Sequence, residues 1–187
     1  APVRRKQEFA VPCARAATTK HMIEARGVPP TEGELTLAPG EGITLTGSLA
    51  YLDATYSEFD FLLPSGDTLN LSGERLQNAP KWSGTLGFNY EGTVNNDVRG
   101  RIGATYSYTS EKLLTSILDV PRARVQPQHL VNANAEIIFG DPFTVGIWAT
   151  NLLDKRYINS VFDAPGTLGL VNYASPRMYG VSLKFER

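Results

Sequence analysis

The chain has 187 residues, and its 18 basic and 19 acidic side chains leave a formal net charge of −1. This balance gives no reason to expect a nucleic-acid partner. A single cysteine excludes an internal disulfide framework, and no apolar run approaches the roughly 18 residues of a membrane-spanning helix, so any membrane role would require β-strands.

The chain opens with a basic segment that has no clean hydrophobic period. Residues 1–30 hold six basic side chains and two acidic ones, a local balance of +4. Because such a composition favours disorder, we predict a poorly ordered basic tail over residues 1–31, with a short helix as the alternative. The structured part is predicted to span residues 32–187.

From residue 32 onward, apolar and polar residues alternate along about seven long segments. In the five segments from Lys81 onward, every charge falls on the polar face. This period of two predicts an all-β fold, an antiparallel meander of about seven long strands. The predicted strands are 32–38, 43–57, 80–91, 97–110, 128–140, 143–152 and 177–186.

The connections and the aromatic residues favour a sheet that faces lipid. Short turns alternate with long loops at about 59–79, 111–127 and 153–176, and aromatic residues lie near the strand ends. Both features are typical of transmembrane β-barrels, which have an even number of strands in bacterial single-chain examples. Seven strands would therefore be part of a larger barrel. A soluble barrel or sandwich has the same period with its apolar face turned inward, and it stays open as an alternative.

Four segments carry a resemblance to a known family. Residues 151–157, with the sequence Asn-Leu-Leu-Asp-Lys-Arg-Tyr, and residues 176–183 resemble the closing segment of TonB-dependent outer-membrane receptors. Residues 49–56 and 78–82 are similar to earlier barrel strands of that family. The resemblance covers residues 32–187 and identifies this part as a C-terminal barrel segment, whereas the basic tail does not resemble the family.

The resemblance implies a bacterial outer-membrane transporter, a barrel of about 22 strands closed by an N-terminal plug. Such receptors take up a siderophore, cobalamin or a glycan-type nutrient. The implied partners are outer-membrane lipid, the missing N-terminal strands and plug, a small-molecule nutrient, and the TonB complex through the absent plug. The chain would then be a truncated, fused or frame-altered product that is not expected to transport alone.

Catalytic chemistry has no recognisable motif in this sequence. There is no Gly-x-Ser-x-Gly, Ser-x-x-Lys or His-Glu-x-x-His segment, so we expect neither an enzyme nor a bound cofactor or metal. The alternative function is a soluble β-barrel or sandwich that binds a small apolar ligand between its strands. If the sheet encloses a lumen, its polar face supplies the lumen-facing candidates, which are Arg99, Arg101, Asn132, Asn134, Glu136 and Lys184.

Overall fold

The computed structural model describes residues 31–63, 65–115, 124–140, 142–164 and 168–186. Apart from Thr31, the predicted basic tail lies outside these ranges, so the division of the chain near residue 31 stays a prediction. Across the described ranges, no helix has the length and apolar character needed to cross a bilayer.

Seven long strands form one antiparallel sheet, which confirms the predicted all-β meander. Numbered along the chain together with six short strands, they follow the spatial order β1-β2-β5-β6-β9-β10-β13. The long strands are β1 (Thr31–Gly40), β2 (Ile43–Tyr51), β5 (Trp82–Asn95), β6 (Val98–Thr109), β9 (Gln128–Phe139), β10 (Phe143–Thr150) and β13 (Met178–Phe185). The described sheet is open, with β1 and β13 at its two edges, and it is not closed into a barrel.

The three long connections contain short hairpins rather than loops alone. The six short strands are β3 (Asp60–Leu62), β4 (Thr68–Asn70), β7 (Lys112–Leu113), β8 (Arg124–Val125), β11 (Ile158–Ala164) and β12 (Leu168–Tyr173), and they pair two by two. The long connections that contain these pairs all join the same rim of the main sheet. The tight turns join the opposite rim.

The largest error in a predicted strand boundary is at the end of the second strand. The second strand was expected to reach residue 57, but β2 ends at Tyr51. The alternation beyond Tyr51 belongs to Ala54 and Tyr56, which are buried although they lie outside β2. The Tyr56 ring stacks on Phe59, with centroids 4.8 Å apart, and the Tyr56 amide donates to the Glu74 carbonyl at 2.9 Å.

The register aligns the apolar residues of all seven strands in rows across one face. One such row joins Leu37, Leu45, Phe88, Ala104, Ala133, Ala149 and Tyr179. This face is open to the surroundings, since Leu86 is 61% exposed and Val181 is 70% exposed. Among the described residues, most of the buried apolar side chains lie in the long connections rather than on this face. The main sheet thus presents a broad apolar surface.

Candidate functional site

The apolar face contains a hollow where three neighbouring strands, β6, β9 and β10, carry alanine. Ala104, Ala133 and Ala149 are direct cross-strand neighbours, and Ala135 lies between Ile102 and Ile147 in the next row. Because an alanine projects only one carbon, these positions leave a depression between longer side chains. The resulting groove has a volume of about 550 Å³.

The β13 strand forms one wall of this groove. Val181 is the cross-strand neighbour of Ile147, and Tyr179 is the neighbour of Ala149. The groove is therefore bounded by Ile102 on β6, Ile147 on β10 and the two side chains on β13. Its lining is almost entirely hydrocarbon, so it offers dispersion contacts and little hydrogen bonding.

The opposite face of the sheet is tightly filled behind the groove. A Cβ atom on Gly180 would lie 2.6 Å from Cζ2 of Trp148, and one on Gly103 would lie 2.5 Å from Oδ1 of Asn134. Both distances are shorter than any ordinary contact, so a side chain at either position would force the Trp148 or Asn134 side chain to shift. The Trp148 ring and the Asn134 side chain thus cover the backbone that forms the floor of the groove.

An ion-pair cluster lies further along the same polar face. The Arg101 guanidinium contacts Glu91 and Glu136, with an N–O distance of 3.1 Å to each, and Arg99 contacts Glu91 at 3.3 Å. The register explains the cluster because Glu91, Arg101 and Glu136 occupy one cross-strand row. Hydrogen bonding to Glu91, together with the charges of both carboxylates and despite partial desolvation, raises the pKa of Arg101.

This cluster contributes little to stability pair by pair. The Arg101 side chain is 42% exposed, and Glu91 is similarly accessible. Water screens such pairs, so each is expected to contribute about 0–1 kcal/mol. The cluster links side chains of three neighbouring strands, β5, β6 and β9, on the exposed polar face.

The six predicted lumen residues all lie on the polar face, but only some of them meet. Arg99, Arg101 and Glu136 belong to the ion-pair cluster, whereas Asn132 accepts a hydrogen bond from the Asn151 amide at 3.0 Å. Asn134 covers Gly103, and Lys184 pairs with Glu186 at 2.6 Å. The described sheet encloses no lumen, so the lumen-facing role of these residues stays a prediction.

Sequence reasoning missed Glu91 as a member of the cluster and missed the groove. The signal for Glu91 was present, because Glu91 and Arg101 stand at equal distances from Asn96 in the turn that joins β5 to β6. The groove had a weaker signal, a set of alanines at alternate positions. In the described residues, no group of three or more His, Cys, Asp or Glu could hold a metal ion.

The segment that carried the strongest family resemblance is a turn held by one buried side chain. Asn151 is 5% exposed and has a positive φ of 51°. Its Nδ2 donates to the Lys155 carbonyl at 2.8 Å, and its Oδ1 accepts from the Lys155 amide at 3.0 Å. Asp154, with a φ of 52°, completes the turn. Asparagine and aspartate tolerate this left-handed conformation better than other side chains do, which accounts for the motif locally.

Comparison with known families does not find the predicted receptor family. A family model described as Mut7-C ubiquitin matches residues 1–50, just over a quarter of the chain. Of these, residues 31–50 are described and belong to the β1–β2 hairpin. No solved structure matches the chain.

These findings correct the family and the function. The identification as a C-terminal segment of a TonB-dependent outer-membrane receptor is wrong, because the family model that matches is Mut7-C ubiquitin. The predicted role as a fragment of a nutrient transporter is wrong for the same reason. Amphipathic strands occur in many antiparallel sheets, and the hydrogen bonds of Asn151 account for residues 151–157 without a receptor.

Proposed function

We propose that this chain is a binding module that holds a small apolar ligand in the alanine-lined groove, with no catalytic step. The groove carries the proposal. Its volume of about 550 Å³ lies within the range of about 300–1,000 Å³ found for small-molecule sites. This proposal keeps the small apolar ligand of the sequence-based alternative, but it puts the ligand on the face of an open sheet instead of between the strands of a barrel or sandwich.

The proposed ligand is a hydrocarbon chain or a flat hydrophobic molecule without charge. The alanines of β9, Ala133 and Ala135, supply a flat floor, and Ile102, Ile147 and Val181 supply side walls. Because the walls offer few polar partners, a charged ligand would lose hydration without compensation. An apolar ligand would instead remove exposed side chains of the groove from water, which favours binding.

The test is a titration with N-phenyl-1-naphthylamine, an apolar dye whose fluorescence rises when it leaves water. Ala135→Leu fills the floor and is expected to weaken binding about fifteenfold, since losing contact equal to two methylene groups costs about 1.6 kcal/mol. Ala38→Leu is the matched control, because Ala38 is exposed on β1 outside the groove. Equal affinity for both variants and the unchanged chain would contradict the proposal.

A lipid bilayer is a second candidate partner, favoured by the aromatic rows at both ends of the apolar face. Phe139, Phe143 and Phe185 form one row beside the tight turns. Tyr51 and Trp82 contact each other at the opposite end, with ring centroids 4.6 Å apart. Such rows at two interfaces support contact with hydrocarbon between them. Membership in a transmembrane barrel and a location in the bacterial outer membrane stay predictions.

Insertion into vesicles separates the two candidates. Leu86→Arg places a charge in the middle of the apolar face, and contact with a bilayer midplane would then cost about 2–4 kcal/mol. Thr85→Arg is the control, since its neighbouring position faces the polar side. Lipid would be favoured if the unchanged chain binds vesicles and Leu86→Arg, but not Thr85→Arg, abolishes that binding. The small ligand would be favoured if the chain is monodisperse without detergent, binds the dye and does not bind vesicles.

A further inference from the structure

We propose that the free edge of β13 pairs antiparallel with β13 of a second copy of this chain, about a two-fold axis at Ser182. β13 is the last strand of the sheet and has no partner on its outer side among the described residues. Its apolar side chains are highly accessible, with Tyr179 81% and Leu183 80% exposed. A long, exposed, apolar edge strand is a template for pairing with another strand.

The backbone of β13 is arranged to accept such a partner. The Glu186 amide donates to the Pro142 carbonyl at 3.0 Å, just beyond the last pair of the β10–β13 ladder. In an antiparallel ladder the residues alternate between bonding one neighbour and facing away from it. The even-numbered residues of β13 therefore bond β10, and the odd-numbered residues from Tyr179 to Phe185 direct their amides and carbonyls outward.

The strand is complementary to itself in the register centred on Ser182. Tyr179 then lies opposite Phe185 of the second copy, and Val181 lies opposite Leu183 of the second copy. Aromatic and aliphatic cross-strand pairs of this kind stabilise sheets, and Lys184 meets a glycine rather than a like charge. A shift by one residue would put the apolar side chains of one copy on the polar face of the other, which disfavours that register.

The other edge of the sheet is less suited to pairing. β1 contains Pro39, which has no amide to donate, and its ladder with β2 has an irregularity between Leu37 and Gly40. Glu34, which is exposed, adds negative charge to the same strand. Proline, irregular pairing and charge are the usual protection of an edge strand, and β13 has only Lys184. The proposed contact therefore uses β13 alone.

Disulfide trapping tests the register directly. Ser182→Cys is introduced into the full chain with Cys13→Ser, and Thr36→Cys on β1 serves as the matched control. At the two-fold axis, residue 182 would form a non-hydrogen-bonded pair with Cα atoms about 4.5 Å apart, within the usual range for a disulfide. We expect mild oxidation to give a covalent dimer with Ser182→Cys and little with Thr36→Cys.

The second measurement is the mass in solution by sedimentation, compared between the unmodified chain and Leu183→Pro. Both are measured in the same buffer or the same mild detergent. The proline removes one outward amide and leaves the hydrogen bonds to β10 in place, so the dimeric mass is expected to fall to the monomeric mass. A monomeric unmodified chain would overturn the proposal. Equal cross-linking at positions 182 and 36 would overturn it as well, even if Leu183→Pro fails to fold.

Discussion

Asn151 holds the turn after β10, and replacing it is expected to destabilise the whole sheet. Asn151→Ala removes the Nδ2 and Oδ1 hydrogen bonds to Lys155, each with a net contribution of about 1 kcal/mol. It also forces alanine to keep a φ of 51°, where a side chain without a local hydrogen bond costs about 1–2 kcal/mol. The free energy of unfolding should therefore fall by about 3–4 kcal/mol.

A second substitution separates the two contributions. Asn151→Gly loses the same hydrogen bonds but tolerates the positive φ, so it should cost about 2 kcal/mol. Urea unfolding followed by circular dichroism measures both variants against the unchanged chain, with the slope of the transition checked for constancy. The reasoning would be refuted if the free energy of unfolding of Asn151→Ala lay within about 0.5 kcal/mol of that of the unchanged chain, because surface changes without a structural role have effects of that size. It would also be refuted if Asn151→Gly were less stable than Asn151→Ala.

Three further outcomes follow from the two faces of the sheet. Gly180→Ala should destabilise by about 1–3 kcal/mol and shift Trp148 fluorescence because the new methyl group displaces the ring, whereas Gly33→Ala, with open space around it, should do neither. Arg101→Met should cost about 1 kcal/mol in low salt and less in high salt, measured by thermal unfolding, because its two ion pairs are exposed. For a series of uncharged alkyl alcohols competing with the dye, affinity should rise about fourfold per methylene, from about 0.8 kcal/mol each, until the groove is filled. An affinity that does not depend on chain length would count against the groove.

The period of two located most of the sheet because each long strand has one apolar and one polar face. The segment predicted at 128–140 is β9, Gln128–Phe139, and the segment predicted at 143–152 is β10, Phe143–Thr150. The same rule predicted too long a strand after Tyr51, where the alternating residues, such as Tyr56, are buried outside any long strand. The β3–β4 and β7–β8 hairpins were missed because strands of two or three residues carry too little pattern to distinguish a strand from a loop.

The candidate site was less predictable because it depends on register between strands that are distant in sequence. The pairing of Glu91 with Arg101 follows from a short turn together with the irregularity between Thr93 and Asn95, which shifts the register by one residue. The pairing of Arg101 with Glu136 crosses the long connection between β6 and β9, whose length sets no register. The alanine floor of the groove also depends on the register between β6 and β9, since Ala104 and Ala133 become neighbours only in the folded sheet.

The apolar face of the main sheet is expected to need a partner that covers it, whatever the family of the chain. Soluble monomers rarely expose an apolar patch of more than a few hundred square ångströms, because water disfavours it. Here the apolar rows run across all seven long strands, so a ligand in one groove covers only the part near β9 and β10. Pairing through β13 extends the sheet and doubles the apolar surface instead of covering it. A chain that binds the dye and also pairs through β13 would therefore still need a partner on the face around Leu86, and vesicle binding by that face is the measurement that identifies lipid as this partner.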